Sequence, residues 1–221
     1  MTALPSRRQE LAAIIDDISR GLGEAHRARE VGLAACRRVI QASGSSIRAV
    51  HRQDDAAGSL ADDAERALRE AQEAVAPYPS LAYAGFLHDA EKEYAEARLT
   101  AAIVAGESLP EPEAIGVDPT SWLRGLAEAA SELRRHLLDR LRAGDLGVGE
   151  RLLAVMDDVY DVLMTIDYPD AVTNGLRRSV DGLRAVLERT RGDVTTTVLQ
   201  SGLKDALDIA AQRLRRQAEF G

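Results

Sequence analysis

Cysteine is almost missing from this chain: Cys36 is the only one in 221 residues. That excludes an intrachain disulfide and any metal cage built on thiolates. Lysine occurs only at positions 92 and 204, so arginine carries nearly all the positive charge. Aromatic residues make up 4%, and the apolar content of 45% rests on Ala, Leu, Val and Ile, a set suited to closely packed helices. No apolar run approaches the ~20 residues needed to span a bilayer. The amino-terminal stretch MTALPSRRQELAAIIDD also lacks the apolar core of a signal peptide. The expectation is a cytoplasmic protein with no membrane partner. No segment alternates with the period of a strand, and no glycine-rich phosphate loop follows one. Four scattered histidines do not argue for a Ser/His/Asp triad. The net charge of −8 and a pI near 5.1 oppose indiscriminate coating by nucleic acid, though a local basic face or cavity remains open.

What the chain does have is helical periodicity from end to end. The pattern predicts helices over about 6–22 and 24–52, forming one long helix or one broken near Gly21 and Gly23. It predicts further helices over about 56–76, 80–105, 119–143, 147–166, 174–191 and 195–219. Pro77 and Pro79 stop the second, because proline disfavours helix at its own position and just before it. The stretch GESLPEPEAIGVDPT is the longest polar loop, too short and too central to separate two domains. Asp118 before Pro119, and Thr173 before Asn174-Gly175, read as amino-terminal caps. The fold class expected is therefore all-α, one domain over 1–221 built as a bundle of six or seven helices.

Two apolar stripes orient the middle of the chain. Tyr83, Leu87, Ala90, Tyr94, Ala97, Ala101 and Val104 recur four and three apart, and Trp122, Leu126, Ala130, Leu133, Leu137 and Leu141 form a second seam. Glu93 and Glu96 lie off the first stripe, and Glu128 and Glu132 lie opposite the second. Spacings of three and four residues bring the Cβ atoms of each pair to roughly 5–6 Å. Should the two helices face each other there, four carboxylates converge, an arrangement that a hard divalent cation neutralises. In a chain with 36 acidic residues the same four can also be a solvated face. Asp89 and Glu91 read as surface residues, as does His88. Arg37, Gln41, Ser45, Arg48 and Arg52 share one helix face with His51 beside them, either as a phosphate-contacting stripe or as a solvated one.

These residues carry a family resemblance. Glu93-Tyr94-Ala95-Glu96-Ala97, then Trp122 to Glu128, then Ser131-Glu132-Leu133-Arg134-Arg135 resemble the translin/TRAX family, on the TRAX side. Arg37-Arg38, Ser45 to Arg52, Ala143-Gly144-Asp145, Val159-Tyr160-Asp161, Tyr168-Pro169-Asp170, Gly175 to Arg178 and Glu188 to Asp193 extend the likeness over nearly the whole chain. The resemblance implies a protomer of about seven helices in a closed homo-oligomer, an octameric shell with nucleic acid inside. It implies Mg²⁺, or Mn²⁺ in its place, held by acidic residues that cut RNA. Glu93, Glu96 and Glu132 match the family's acidic positions. Glu128 stands where the family more often has Asp, and the extra methylene alters metal geometry.

Three functions follow as expectations. The first is a Mg²⁺-dependent endoribonuclease using Glu93, Glu96, Glu128 and Glu132, with Arg37, Arg48, His51 and Arg52 on the backbone of the nucleic acid. The second is a translin-like protein that binds RNA or single-stranded DNA without cutting it. The third is a structural helical oligomer with no nucleic-acid ligand.

Overall fold

The computed structural model describes residues 6–220, with side chains through Gln217. Met1–Pro5 of the amino-terminal stretch lie outside the described residues. Nine helices, and no strand, occur among those residues. They are α1 (Arg7–Arg52), α2 (Ala56–Val75), α3 (Pro79–Ala82), α4 (Gly85–Ala105), α5 (Pro112–Ile115), α6 (Pro119–Arg142), α7 (Leu146–Met164), α8 (Asp170–Thr173) and α9 (Leu176–Phe220). Three of them are single turns of four residues, which leaves six long helices. The expected all-α class is what is observed.

The ends of several helices follow from local chemistry. Ser6 and Gln9 form a reciprocal capping box at the start of α1. Asp118 caps α6 as expected, its Oδ1 accepting from the Thr120 N–H at 2.8 Å. Gly144 takes a left-handed φ of +83°, which reverses the chain so that Asp145 can cap α7 through the Val148 N–H. Three expectations are corrected. First, α9 runs unbroken through Gly192, where two helices are expected; α1 takes the single-helix form of the two left open and passes through Gly21 and Gly23, since glycine in a helix interior weakens it by about 1 kcal/mol but does not end it. Second, the segment 80–105 breaks at Tyr83-Ala84, so Tyr83 leaves the seam and is 80% exposed. Third, Thr173 closes α8, and α9 begins at Leu176 after Asn174 and Gly175 in left-handed geometry.

The chain packs as two compact units: 1–98 with 110–122, and 99–109 with 123–221. In the first, α1 and α2 lie against each other. The contact is close because α2 offers Ala61, Ala64, Ala67 and Ala71 to α1's Ala35, Cys36 and Val39, all buried. At Gly32 a Cβ would come within 2.8 Å of Val75 Cγ1, so the two helices meet at van der Waals distance. Tyr94 is fully buried in this unit, and Arg98 lies over its ring and hydrogen-bonds its hydroxyl at 3.3 Å. Burial pushes the Tyr94 phenol up to about 12, with Glu65 adding to the rise and Arg98 opposing it.

In the second unit α7 packs on α9, whose buried face is Leu176, Val180, Leu183, Leu187, Thr190 and Val194, a strict four-three repeat. Beyond Val194 the helix instead carries Leu199, Leu203, Leu207 and Leu214 on its surface, each at least 60% exposed. The first turns of α1 behave alike, with Leu11, Ile14, Ile15, Ile18 and Leu22 all exposed. Among the described residues, no helix is long and apolar enough to cross a membrane.

Candidate functional site

Helix α4 is oriented by its core side. Leu87, Ala90, Tyr94 and Ala97 are buried, which leaves Glu93 and Glu96 on a strip that is only partly covered. Glu93 receives an ion pair from its neighbour, Lys92 Nζ to Glu93 Oε1, at 2.8 Å. Helix α6 is fixed the same way by Leu126, Ala130, Leu133, Leu137 and Leu141, and Glu128 and Glu132 are partly covered on the other side. Ser179 of α9 donates to Glu128 Oε1 at 3.2 Å. All four glutamates thus lie off the core, as periodicity predicts, and none is fully exposed.

The two pairs belong to different compact units, Glu93 and Glu96 to the first, Glu128 and Glu132 to the second. Among the described residues, no group of three or more His, Cys, Asp or Glu is gathered as a ready metal cage. The donor chemistry nonetheless fits a hard cation. Each pair offers two carboxylates, and Mg²⁺ commonly takes one or two carboxylates and fills the remaining positions with water and substrate phosphate.

Glu91 corrects the sequence expectation. It is 5% exposed, because it sits three residues before Tyr94 and four after Leu87, inside the apolar stripe. Its carboxylate accepts from Gln72 Nε2 at 2.9 Å, Ser121 Oγ at 3.3 Å and the Asp118 N–H at 3.4 Å. His88 Nδ1 lies 3.6 Å away, so His88 too is part of an interior network, with only 17% of its side chain exposed. Ser121 is fully buried and also donates to the His88 carbonyl, which makes it a structural link rather than a nucleophile. Together these contacts pin the first turn of α6 to α4. Beside them Asp118 is a lowered acid: its partial burial raises it, and the hydrogen bonds from Thr120 outweigh that effect. Burial drives the Cys36 thiol up to about 11, with the Glu91 charge adding to the rise, so Cys36 is an inert core residue.

On α1, Arg37, Arg48 and Arg52 are exposed and His51 is half-buried. Arg48 Nη2 donates to Ser45 Oγ at 3.0 Å, and Arg52 pairs with Asp54 at 3.6 Å. Gln41 and Ser45 reach the edge of a groove of about 530 Å³ between α1 and α2, where Arg38 meets Glu70 at 2.6 Å and Arg66 pairs with Asp63. In the second unit Arg134 joins α6 to α9, reaching Asp193 at 2.7 Å and Thr190 at 3.0 Å. It serves as an internal tie there.

No model of a known protein family matches the chain. The uncharacterised protein MJ0175 of Methanocaldococcus jannaschii is 30% identical over 184 residues, covering 81% of this chain and 80% of that one. A structure of AfC3PO in complex with duplex RNA is 32% identical and superposes with a TM-score of 0.70 over 84% of this chain and 97% of that one. AfC3PO in a second crystal structure gives 30% identity and a TM-score of 0.76 over the same shares. Apo-NeC3PO shares the fold at 18% identity, with a TM-score of 0.75 over 89% of this chain. Likeness in sequence and fold along most of the chain leads to one conclusion: the protein belongs to the translin/TRAX family.

Proposed function

We propose that this protein is a nucleic-acid-binding member of its family that cuts RNA as a Mg²⁺-dependent endoribonuclease. The observation that carries the proposal is the pair of partly covered glutamates on each of α4 and α6, at positions where the family resemblance expects metal-binding acids. Glu93 and Glu96 on α4, and Glu128 and Glu132 on α6, are the carboxylates that would take Mg²⁺, for which Mn²⁺ can substitute. When bound, such an ion supplies Lewis acidity and a nucleophilic water at neutral pH. Lys92 and Ser179 restrain Glu93 and Glu128, which limits the rotamer freedom lost on binding. Arg37, Arg48, His51 and Arg52 take the sugar-phosphate backbone, since guanidinium forks suit phosphate and carry no sequence information. AfC3PO has been solved with duplex RNA, which supports RNA as the ligand.

The exposed apolar stripes on α1 and α9 support assembly into a homo-oligomer larger than a dimer, with an octameric shell as the form the family resemblance implies. The cytoplasm is the compartment proposed. A binding-only role is the second reading, for RNA or single-stranded DNA, and it draws on the division of the acids into two separate pairs. Single alanine substitutions decide between them. Glu93→Ala, Glu96→Ala or Glu132→Ala abolishes cleavage with RNA binding and oligomer nearly intact, and Glu128→Asp keeps or raises activity. Full cleavage by the Glu93→Ala and Glu132→Ala proteins leaves only the binding role.

A further inference from the structure

Glu128 opens onto a cleft of about 410 Å³ within the second unit. Arg124, one turn before Glu128 on α6, forms part of its wall. Asp170 and Asn174 come from α8 and the turn after it, and Arg178 and Ser179 from the first turn of α9. The turn is built for this. Asn174 and Gly175 are consecutive left-handed residues with φ of +51° and +86°, and they end α8 and start α9 in the space of two residues. That brings the amino-terminal end of a 45-residue helix, with its partial positive charge, to the cleft. The volume lies within the range of sites that enclose a small organic group.

The wall chemistry narrows the occupant. Two guanidiniums and a helix terminus attract an anion, and guanidinium forks match phosphate oxygens. Yet Glu128 and Asp170 line the same space, and a bare phosphate would meet two carboxylates. Glu128 is already oriented by the Ser179 hydroxyl. Asp170 is exposed, and a carboxylate accepts hydrogen bonds without donating any, so it selects a hydroxyl donor and repels a second anion. The group that satisfies both kinds of wall carries a phosphate and a free hydroxyl a few ångströms apart. A ribonucleotide has that pattern, and its 2′-hydroxyl is what separates RNA from DNA.

We propose that this cleft holds one ribonucleotide of the strand, its phosphate on Arg124 and Arg178 and its 2′-hydroxyl on Asp170. This deepens the nuclease reading and rests on it for the role of Glu128, but the binding it describes needs no cation.

The test uses the full-length protein in EDTA, with a 5′-labelled single-stranded RNA ten nucleotides long and the DNA of the same sequence, read by fluorescence anisotropy. The parent binds the RNA roughly ten- to a hundredfold more tightly than the DNA, the worth of one hydrogen bond to a charged acceptor. Arg178→Ala weakens both ligands roughly tenfold and keeps the ratio, and Arg178→Lys, which keeps the charge but loses the fork, falls between. Asp170→Ala, which removes the acceptor, leaves the DNA affinity at least as high as the parent's and brings the ratio close to one. Circular dichroism verifies that each variant is folded; should Arg178→Ala not fold, Arg178→Lys carries that arm. Equal affinity of the parent for RNA and DNA overturns the proposal. So does an arginine variant that binds like the parent, or an Asp170→Ala protein that keeps the RNA preference. Persistent cutting by the Glu93→Ala protein in Mg²⁺ would instead fault the nuclease assignment and leave these binding results standing.

Discussion

Replacing Glu91 with alanine perturbs the network that fastens the start of α6 to α4. Three donors lose an acceptor. Ser121 keeps the His88 carbonyl at 3.1 Å, and Gln72 keeps the Gly116 carbonyl at 2.9 Å with one of its two amide hydrogens. The second Gln72 hydrogen and the Asp118 N–H are left short of a partner. A fully buried donor left without a partner costs about 1–3 kcal/mol; both of these are part-buried, so about 2–6 kcal/mol is the upper bound for the two. Relief from burying a carboxylate works the other way, because Glu91 is only 5% exposed and its charge is poorly hydrated. The expected net loss is about 2–4 kcal/mol. Glu91→Gln keeps an amide oxygen as acceptor and loses about half as much. Urea denaturation at one fixed protein concentration measures both, and in a domain of this size the alanine variant should melt roughly 5–10 °C lower. An Glu91→Ala protein as stable as the parent, or more stable, refutes the reasoning: the burial penalty would then outweigh the bonds the carboxylate makes.

Other outcomes follow from the same structure. Asp118→Ala removes the α6 cap and costs about 1 kcal/mol near neutral pH. Because the Asp118 carboxyl is lowered in the fold, its contribution is present above the unfolded value near 3.8 and fades as pH falls through the folded value. The gap between parent and variant should therefore narrow as pH falls below the unfolded value near 3.8, and a gap that stays constant through that descent rules out the charge as its source. Gly32→Ala forces a Cβ against Val75 Cγ1 and should cost about 1–3 kcal/mol, checked by the same urea titration against an Ala substitution at exposed Gly21. Arg48→Ala with Arg52→Ala should weaken RNA binding about equally across sequences and flatten its salt dependence; an unchanged salt slope returns both arginines to an ordinary solvated face.

Much of the fold is legible because four-three periodicity is a direct record of burial. The α6 stripe from Leu126 to Leu141 and the placement of Glu93, Glu96, Glu128 and Glu132 off the core can both be read from spacing. The breaks are less legible. Gly21, Gly23 and Gly192 look like stops, but a glycine costs little in a helix that keeps its hydrogen bonds. Tyr83, by contrast, lies in phase with the seam, yet the chain turns there and exposes it. Glu91 is the instructive miss. Its charge points to the surface, while its position, four after Leu87 and three before Tyr94, places it in the interior, and its partners from α2 and α6 make that position tenable. The cleft around Glu128 joins residues about fifty positions apart, and no local pattern links Arg124 to Arg178. The exposed stripes of α1 and α9 extend helices whose inner halves are buried, so periodicity marks them as packing surfaces without naming what they pack against.

The proposed reaction is the cutting of RNA with a divalent cation taken by these glutamates. Incubating the purified parent protein with labelled single-stranded RNA, in Mg²⁺ or in EDTA, tests it most directly. A cation-dependent nuclease gives shortened products in Mg²⁺ and leaves the RNA intact in EDTA, with binding in both. RNA that stays intact in Mg²⁺ and in Mn²⁺, while anisotropy shows it bound, contradicts the claim.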